Sequence, residues 1–190
     1  MDSQTEKKLV QSAQNGDEEA MGALYDANVD RIYRYIFNRV NNAELARDLT
    51  SDVFFRMVKD LATFEYRDVP LIAWLYRIAN FCVIDHFRQS ERDVSDANLE
   101  EIDIVDDIQP PLDQNLIAED QAKYLRDAMT KLTSEQQQVV ILRFVEGHDL
   151  KKTAELLGKT VNSVKVLQHR AVHALGRALQ SLNKDDIVVD

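Results

Sequence analysis

Apolar residues recur three and four positions apart through the first ninety residues, the period of an α-helix with one buried side. Residues 5–15 predict a short helix closed by Gly16. Asp17 caps a second, over about 18–40, whose apolar positions include Leu24, Ile32, Tyr35, Ile36 and Val40. Asn42 caps a third, over about 43–63, in which Leu45, Leu49, Val53, Met57 and Leu61 stand four apart and form one packed stripe. Asp68 caps a fourth, and Pro70 is tolerated in its first turn. This helix, LIAWLYRIANFCVIDHFRQ, is apolar early and basic at its end.

Residues 91–112 lose the helical period and contain Pro110-Pro111, which reads as a flexible acidic linker extended by self-repulsion. A second helical set begins at Leu112 or Asp113, with one helix to about Lys131. Thr133 and Gln136 form a capping box for the next, which ends at Gly147. Asp149 caps a short helix, Leu150–Leu157, and Gly158 supplies the left-handed residue that ends it. Thr160 caps a last helix from Val161 onward, with Val161, Val164, Leu167, Ala171 and Leu175 as its buried stripe. A short helix, a tight turn and a longer helix make a helix-turn-helix, which lays its second helix in the major groove of DNA. The expected fold class is therefore all-α: two small helical domains, 1–90 and 113–182, joined by a flexible acidic linker at 91–112, the second containing the helix-turn-helix. Residues 183–190 read as a frayed tail.

Charge sharpens this picture. The chain holds 23 basic and 33 acidic residues, a net of −10, whereas a freestanding DNA binder is usually basic. Residues 91–120 alone carry eleven acids and one base, so the remaining 160 residues are neutral overall. From Lys159 to Lys184 there are five Lys or Arg, two His and no acid, which suits a phosphate-facing surface. The low count of Gly and Pro, five and three, suits helices throughout. The single Cys82 excludes an internal disulfide and a multi-cysteine zinc site. No apolar run approaches ~20 residues, so no membrane insertion is expected. The start, MDSQTEKKLV, lacks a signal-peptide core, and a cytoplasmic location is expected.

Candidate chemistry falls on three helices. In the 43–63 helix, Asp48, Asp52, Phe55 and Lys59 lie at i, i+4, i+7 and i+11, one face that avoids the leucine stripe, with Arg56 beside it. An acidic face with an exposed aromatic suits docking on a basic helical partner. Residues 73–92 mix aromatics with cations, the combination that single-stranded DNA binding needs. Trp74, Leu75, Ile78 and Cys82 are spaced there as core residues, which leaves Arg77, Asn80, His86 and Arg88 as DNA-contact candidates. In the last helix, Asn162, Ser163, Lys165, Val166, His169 and Arg170 stand opposite the buried stripe and are groove-facing candidates. Catalytic signals are weak: there is no Glu-x-x-His and no Gly-rich phosphate loop, and no catalytic residue, cofactor or metal is expected.

Three stretches in order then carry a resemblance: ARDLTSDVFFRMVKDLATF (46–64), AWLYRIANFCVIDHFRQ (73–89) and LTSEQQQVVILRFVEGHDLKKTAELLGKTVNSVKVLQHRAVHAL (132–175). The chain resembles the extracytoplasmic-function (ECF) sigma factors of bacterial RNA polymerase, members of the sigma-70 family, over about residues 9–182. The resemblance implies an initiation factor, not an enzyme, that binds core RNA polymerase, directs it to specific promoters and helps melt the minus-10 region. It implies contact of Asp48, Asp52, Phe55, Arg56 and Lys59 with the β′ clamp, and of the second domain with the β flap. It implies minus-10 contact by Arg77, Asn80, Phe81, His86 and Arg88. Minus-35 contact falls to Thr160, Asn162, Ser163, Lys165, Val166, His169 and Arg170. An anti-sigma protein is the further partner implied. Phe81 occupies a place where the family often has Asn, with Asn80 one position earlier, so the base-selecting pocket departs from the pattern. A stand-alone helix-turn-helix regulator with a helical sensor domain is the alternative, although residues 1–90 show neither a ligand pocket nor a receiver pattern.

Overall fold

The computed structural model describes the backbone of residues 2–66, 69–96 and 116–185, and every regular element among them is helical. The elements are α1 (Ser3–Gln14), α2 (Glu18–Asp26), α3 (Val29–Val40), α4 (Ala43–Asp60), α5 (Leu71–Asp96), α6 (Leu116–Thr130), α7 (Ser134–Val140), α8 (Leu150–Leu157) and α9 (Val161–Asp185). A 3₁₀ turn, Leu61–Thr63, closes α4. The caps form where short polar side chains precede apolar runs. Asp17 accepts from Ala20 N, Asn42 from Leu45 N, and Asp149 from Lys152 N. Thr133 and Gln136 make the reciprocal capping box. Gly16 and Gly158 take φ of 89° and 62°, a region costly for residues with a Cβ. The expected cap at Asp68 lies outside the described residues.

Three departures from the periodic reading have local causes. The helix expected over 18–40 is two helices, α2 and α3. Asn28 turns its side-chain amide back to Leu24 O at 2.8 Å, a local hydrogen bond that competes with helix continuation. The acidic segment does not end α5, which runs through Asp96. Charge density is no helix terminator, and residues 91–96 contain neither Gly nor Pro. Beyond Val140, α7 passes into a π-turn, Ile141–Val145, where Glu146 N reaches Ile141 O at 2.9 Å. The rest of the expected linker, 97–112, and the tail from 186 lie outside the described residues.

In the first set, α3, α4 and α5 pack mutually while α1 and α2 close one end. In the second, α9 packs on α6, α7 and α8. Val139, Ala154 and Val164 form a small core within the helix-turn-helix. The two sets also share a core. Val140, Ile141, Leu142, Leu156 and Ala171 join the cluster built on Ile32, Tyr35, Leu49, Val53, Met57 and Leu75. Contact runs through α5 against α8 and α3 against α6.

Candidate nucleic-acid and polymerase interface

The α4 face follows from burying its leucine stripe. Leu49, Val53 and Met57 turn inward, which turns Asp48, Asp52, Phe55 and Lys59 to solvent. Phe55 is 71% exposed. Phe54, its neighbour, is buried and sets its ring edge-on to Tyr25 at 4.7 Å. Arg56 is half-buried at the margin, its guanidinium 3.9 Å from Asp85 of α5. Periodicity missed Val58, which is 56% exposed one turn from Phe55. Its i+3 relation to Phe55 was the available signal. The result is an apolar pair flanked by two carboxylates and one ammonium, suited to a helical partner.

On α5 the five candidates separate. By helical geometry Arg77, Phe81 and Arg88 fall on one stripe, and all three are exposed. Asn80 lies on the neighbouring stripe and is half-buried. His86 falls about half a turn from Arg77, so the helix does not bring it to that face. Nearness to Arg88 along the chain does not place His86 on the same face, because each residue turns about 100° around the helix. Trp74 is half-buried against Phe64, with ring centroids 4.8 Å apart. Cys82 is buried, and burial pushes its thiol above the usual range.

Asn80 is already engaged. Its Oδ1 accepts from Arg39 at 2.9 Å, from Ser134 Oγ at 2.8 Å and from Gln138 Nε2 at 3.0 Å. Arg77 lies against the turn of the helix-turn-helix. A Cβ added at Gly158 would stand 3.1 Å from its guanidinium. Tyr76, one residue earlier, is buried beside Tyr35, and desolvation pushes its hydroxyl up to about 12 despite the opposing charge of Arg31.

On α9, burial of Val164, Leu167 and Ala171 leaves Asn162, Ser163, Lys165, Val166, His169 and Arg170 exposed. Val161, expected in the buried stripe, is 38% exposed in the first turn of α9. Thr160 and Ser163 are partly spent on the helix start: Ser163 N donates to Thr160 Oγ1 at 3.1 Å and the hydroxyls meet at 2.9 Å. His173 extends the outward face, with its Nε2 3.2 Å from that of His169. The signal for it is in the sequence: His173 stands at i+4 from His169 and i+11 from Asn162. Beneath the turn, Arg143 donates to Gln168 Oε1 at 2.8 Å and to the carbonyl of His148. That fixes the angle between the π-turn and α9. Lys159 is held by Glu135 at 2.6 Å.

Comparisons with known proteins place the chain in a family. The model of Sigma-70 region 2 matches residues 24–93, and that of Sigma-70, region 4 matches residues 122–175. The ECF RNA polymerase sigma factor BldN of Streptomyces coelicolor is 39% identical over 178 residues, covering 94% of this chain and 67% of BldN. The ECF RNA polymerase sigma factor SigX of Bacillus subtilis is 28% identical over 88% of each chain. The sigma factor RpoE of Bartonella quintana, solved in complex with the anti-sigma factor NepR, shares the fold with a TM-score of 0.59 at 19% identity. That match covers 84% of this chain and 96% of RpoE. With both region matches in order and this identity to BldN, the chain belongs to the ECF sigma factors of the sigma-70 family.

Proposed function

We propose that this chain is a dissociable transcription initiation factor that works with no catalysis of its own. It docks on core RNA polymerase through the α4 face of Asp48, Asp52, Phe55, Val58 and Lys59, with Arg56 at the margin. The turn after α7, where Phe144 and Val145 are exposed, suits a second apolar contact with the β flap. Asn162, Lys165 and Val166 read base edges of the minus-35 element, and His169 and Arg170 follow the phosphates. Arg77, Phe81 and Arg88 bind the melted minus-10 strand by charge and stacking.

The observation that carries this reading is the outward face of α9. A capped helix-turn-helix presents short polar groups in its first turns and cations further along, on a chain 39% identical to a sigma factor. An anti-sigma partner is part of the proposal, by likeness to the RpoE–NepR pair. The test is reconstitution. The purified chain is mixed with core polymerase, and transcripts are mapped from genomic fragments. Transcripts that start at discrete promoters only when the chain is present support the proposal. Co-elution without such transcripts refutes it.

A further inference from the structure

Two imidazoles converge on the outward face of α9. His169 and His173 are both exposed. Their Nε2 atoms lie 3.2 Å apart and their ring centroids 4.4 Å apart, with the ring planes at 56°. At zinc–nitrogen lengths of about 2.0–2.1 Å, two ligands of a tetrahedral ion stand about 3.3–3.4 Å apart. The pair therefore holds its nitrogens close to the separation of two ligands on one ion. Helix geometry supplies the convergence, because residues four apart lie one above the other on the same side. As a hydrogen bond between two exposed rings the contact contributes little, since water offers each nitrogen the same bond.

The surroundings select the kind of ion. Neutral imidazole suits zinc, copper and nickel, whereas magnesium and calcium seek oxygen. Lys165, Gln168 and Val172 line an open hollow of about 360 Å³ together with the two rings. None of the three is a ready third ligand: Gln168 Oε1 already accepts from Arg143 at 2.8 Å, a lysine ammonium offers no lone pair, and Val172 is apolar. Among the described residues no group of three or more His, Cys, Asp or Glu comes together, and Lys159 to Lys184 contains no acid. An ion held by this pair keeps open coordination positions, and Lys165 and Arg170 set like charge beside it. Both features favour an anion as the next ligand. At about 100° per residue, His169 and His173 fall within about 20° of the direction of Asn162, on the midline of the outward face. The anion that this face meets on a promoter is backbone phosphate.

We propose that His169 and His173 form a two-imidazole site for a divalent ion of the zinc, copper and nickel class, and that the bound ion bridges α9 to a phosphate oxygen of the minus-35 duplex. The bridge rests on the proposed DNA-reading role of α9, while the metal site does not. Linkage makes the effect reciprocal: the ion tightens DNA binding by the factor by which DNA tightens the ion.

The first measurement titrates Zn²⁺ into the full chain against a chromogenic chelator, without polymerase or DNA. One equivalent should bind, Ni²⁺ should compete for it, and Mg²⁺ should not. His173→Gln leaves one ring. The second ring binds intramolecularly, so its loss should weaken the site by about tenfold or more, while His148→Gln should bind as the wild type does. The second measurement titrates a minus-35 duplex with holoenzyme made from wild-type or His173→Gln chain, with and without added Zn²⁺. Neutralising one further phosphate adds about 0.9 to the salt dependence, which amounts to about fivefold in affinity at 0.15 M salt relative to 1 M. Zn²⁺ should tighten wild-type binding by about that factor at low salt. The His173→Gln holoenzyme sets the baseline for any response of the polymerase itself to zinc. Absence of a bound equivalent, or equal binding by His173→Gln, overturns the site. Zinc responses that are equal in the two holoenzymes, or looser DNA binding by the zinc-loaded wild type, overturn the bridge. Wild-type holoenzyme that ignores the minus-35 duplex even without metal sinks the reading role of α9 and the bridge with it, while the titration of the free chain still decides the site.

Discussion

Phe55 and Met57 stand two residues apart on α4 and point in opposite directions, which makes them a matched test of the docking face. Met57 is 1% exposed within the core of the first set. Its truncation to Ala removes buried atoms and leaves a cavity, a loss of about 2–5 kcal/mol. For a chain of this size each kcal/mol moves the melting temperature by roughly 2–4 °C, so Met57→Ala should melt about 4–20 °C lower. Phe55 is 71% exposed, so only some three-tenths of its surface is already out of water. Full burial of such a side chain contributes about 1.5–3 kcal/mol, and Phe55→Ala should therefore cost below about 1 kcal/mol of stability. In a polymerase interface the ring is a candidate anchor, and truncating such an anchor costs about 2 kcal/mol or more of binding, roughly thirtyfold in Kd. Thermal melts of the free chain and titration onto core polymerase separate the two effects. If Phe55→Ala melts as low as Met57→Ala, the ring is a core element. If it melts like the wild type and binds polymerase equally well, the α4 face is not the dock.

Other consequences follow from the same geometry. Thr133→Ala breaks a capping box and should destabilise by about 0.5–2 kcal/mol, read by denaturant titration, while Thr133→Ser should restore most of it. Arg170→Ala should weaken all promoters alike and reduce the salt dependence of holoenzyme binding by about one unit. Asn162→Ala and Lys165→Ala should change preference at particular minus-35 positions, read on single-base variants. If neither alters base preference or affinity, α9 is not the reading head. His148 has its pKa lowered from 6.5, chiefly by burial and then by Arg31. Its folded state resists a proton that the unfolded state accepts, so its contribution is full above about 6.5 and is lost as pH falls below that value. Melting temperatures from pH 7.5 to 5.5 should fall less steeply for His148→Gln, and identical slopes would reject the assignment.

The helices, their caps and the helix-turn-helix were legible because each is a local matter. Burial on one side imposes a period, and Asp17, Asn42, Thr133, Asp149 and Thr160 satisfy N–H groups within three residues of themselves. The outward faces of α4 and α9 followed by subtraction, since residues excluded from a buried stripe must face elsewhere. Breaks that depend on one competing bond did not follow, as at Asn28, whose side chain could equally have faced water. Nor could sequence order place His86 apart from Arg77, because proximity along the chain ignores rotation around the helix. Least legible was the seam between the two helical sets. Arg39 reads as an ordinary polar residue near a helix end, and Asn80 as a free amide among DNA-contact candidates. Their partners lie 98 and 54 residues away, at Gln137 and Ser134. A hydrogen bond over that separation leaves no periodic trace in either segment. It exists only because two helical sets, each with its own local code, bury a common surface.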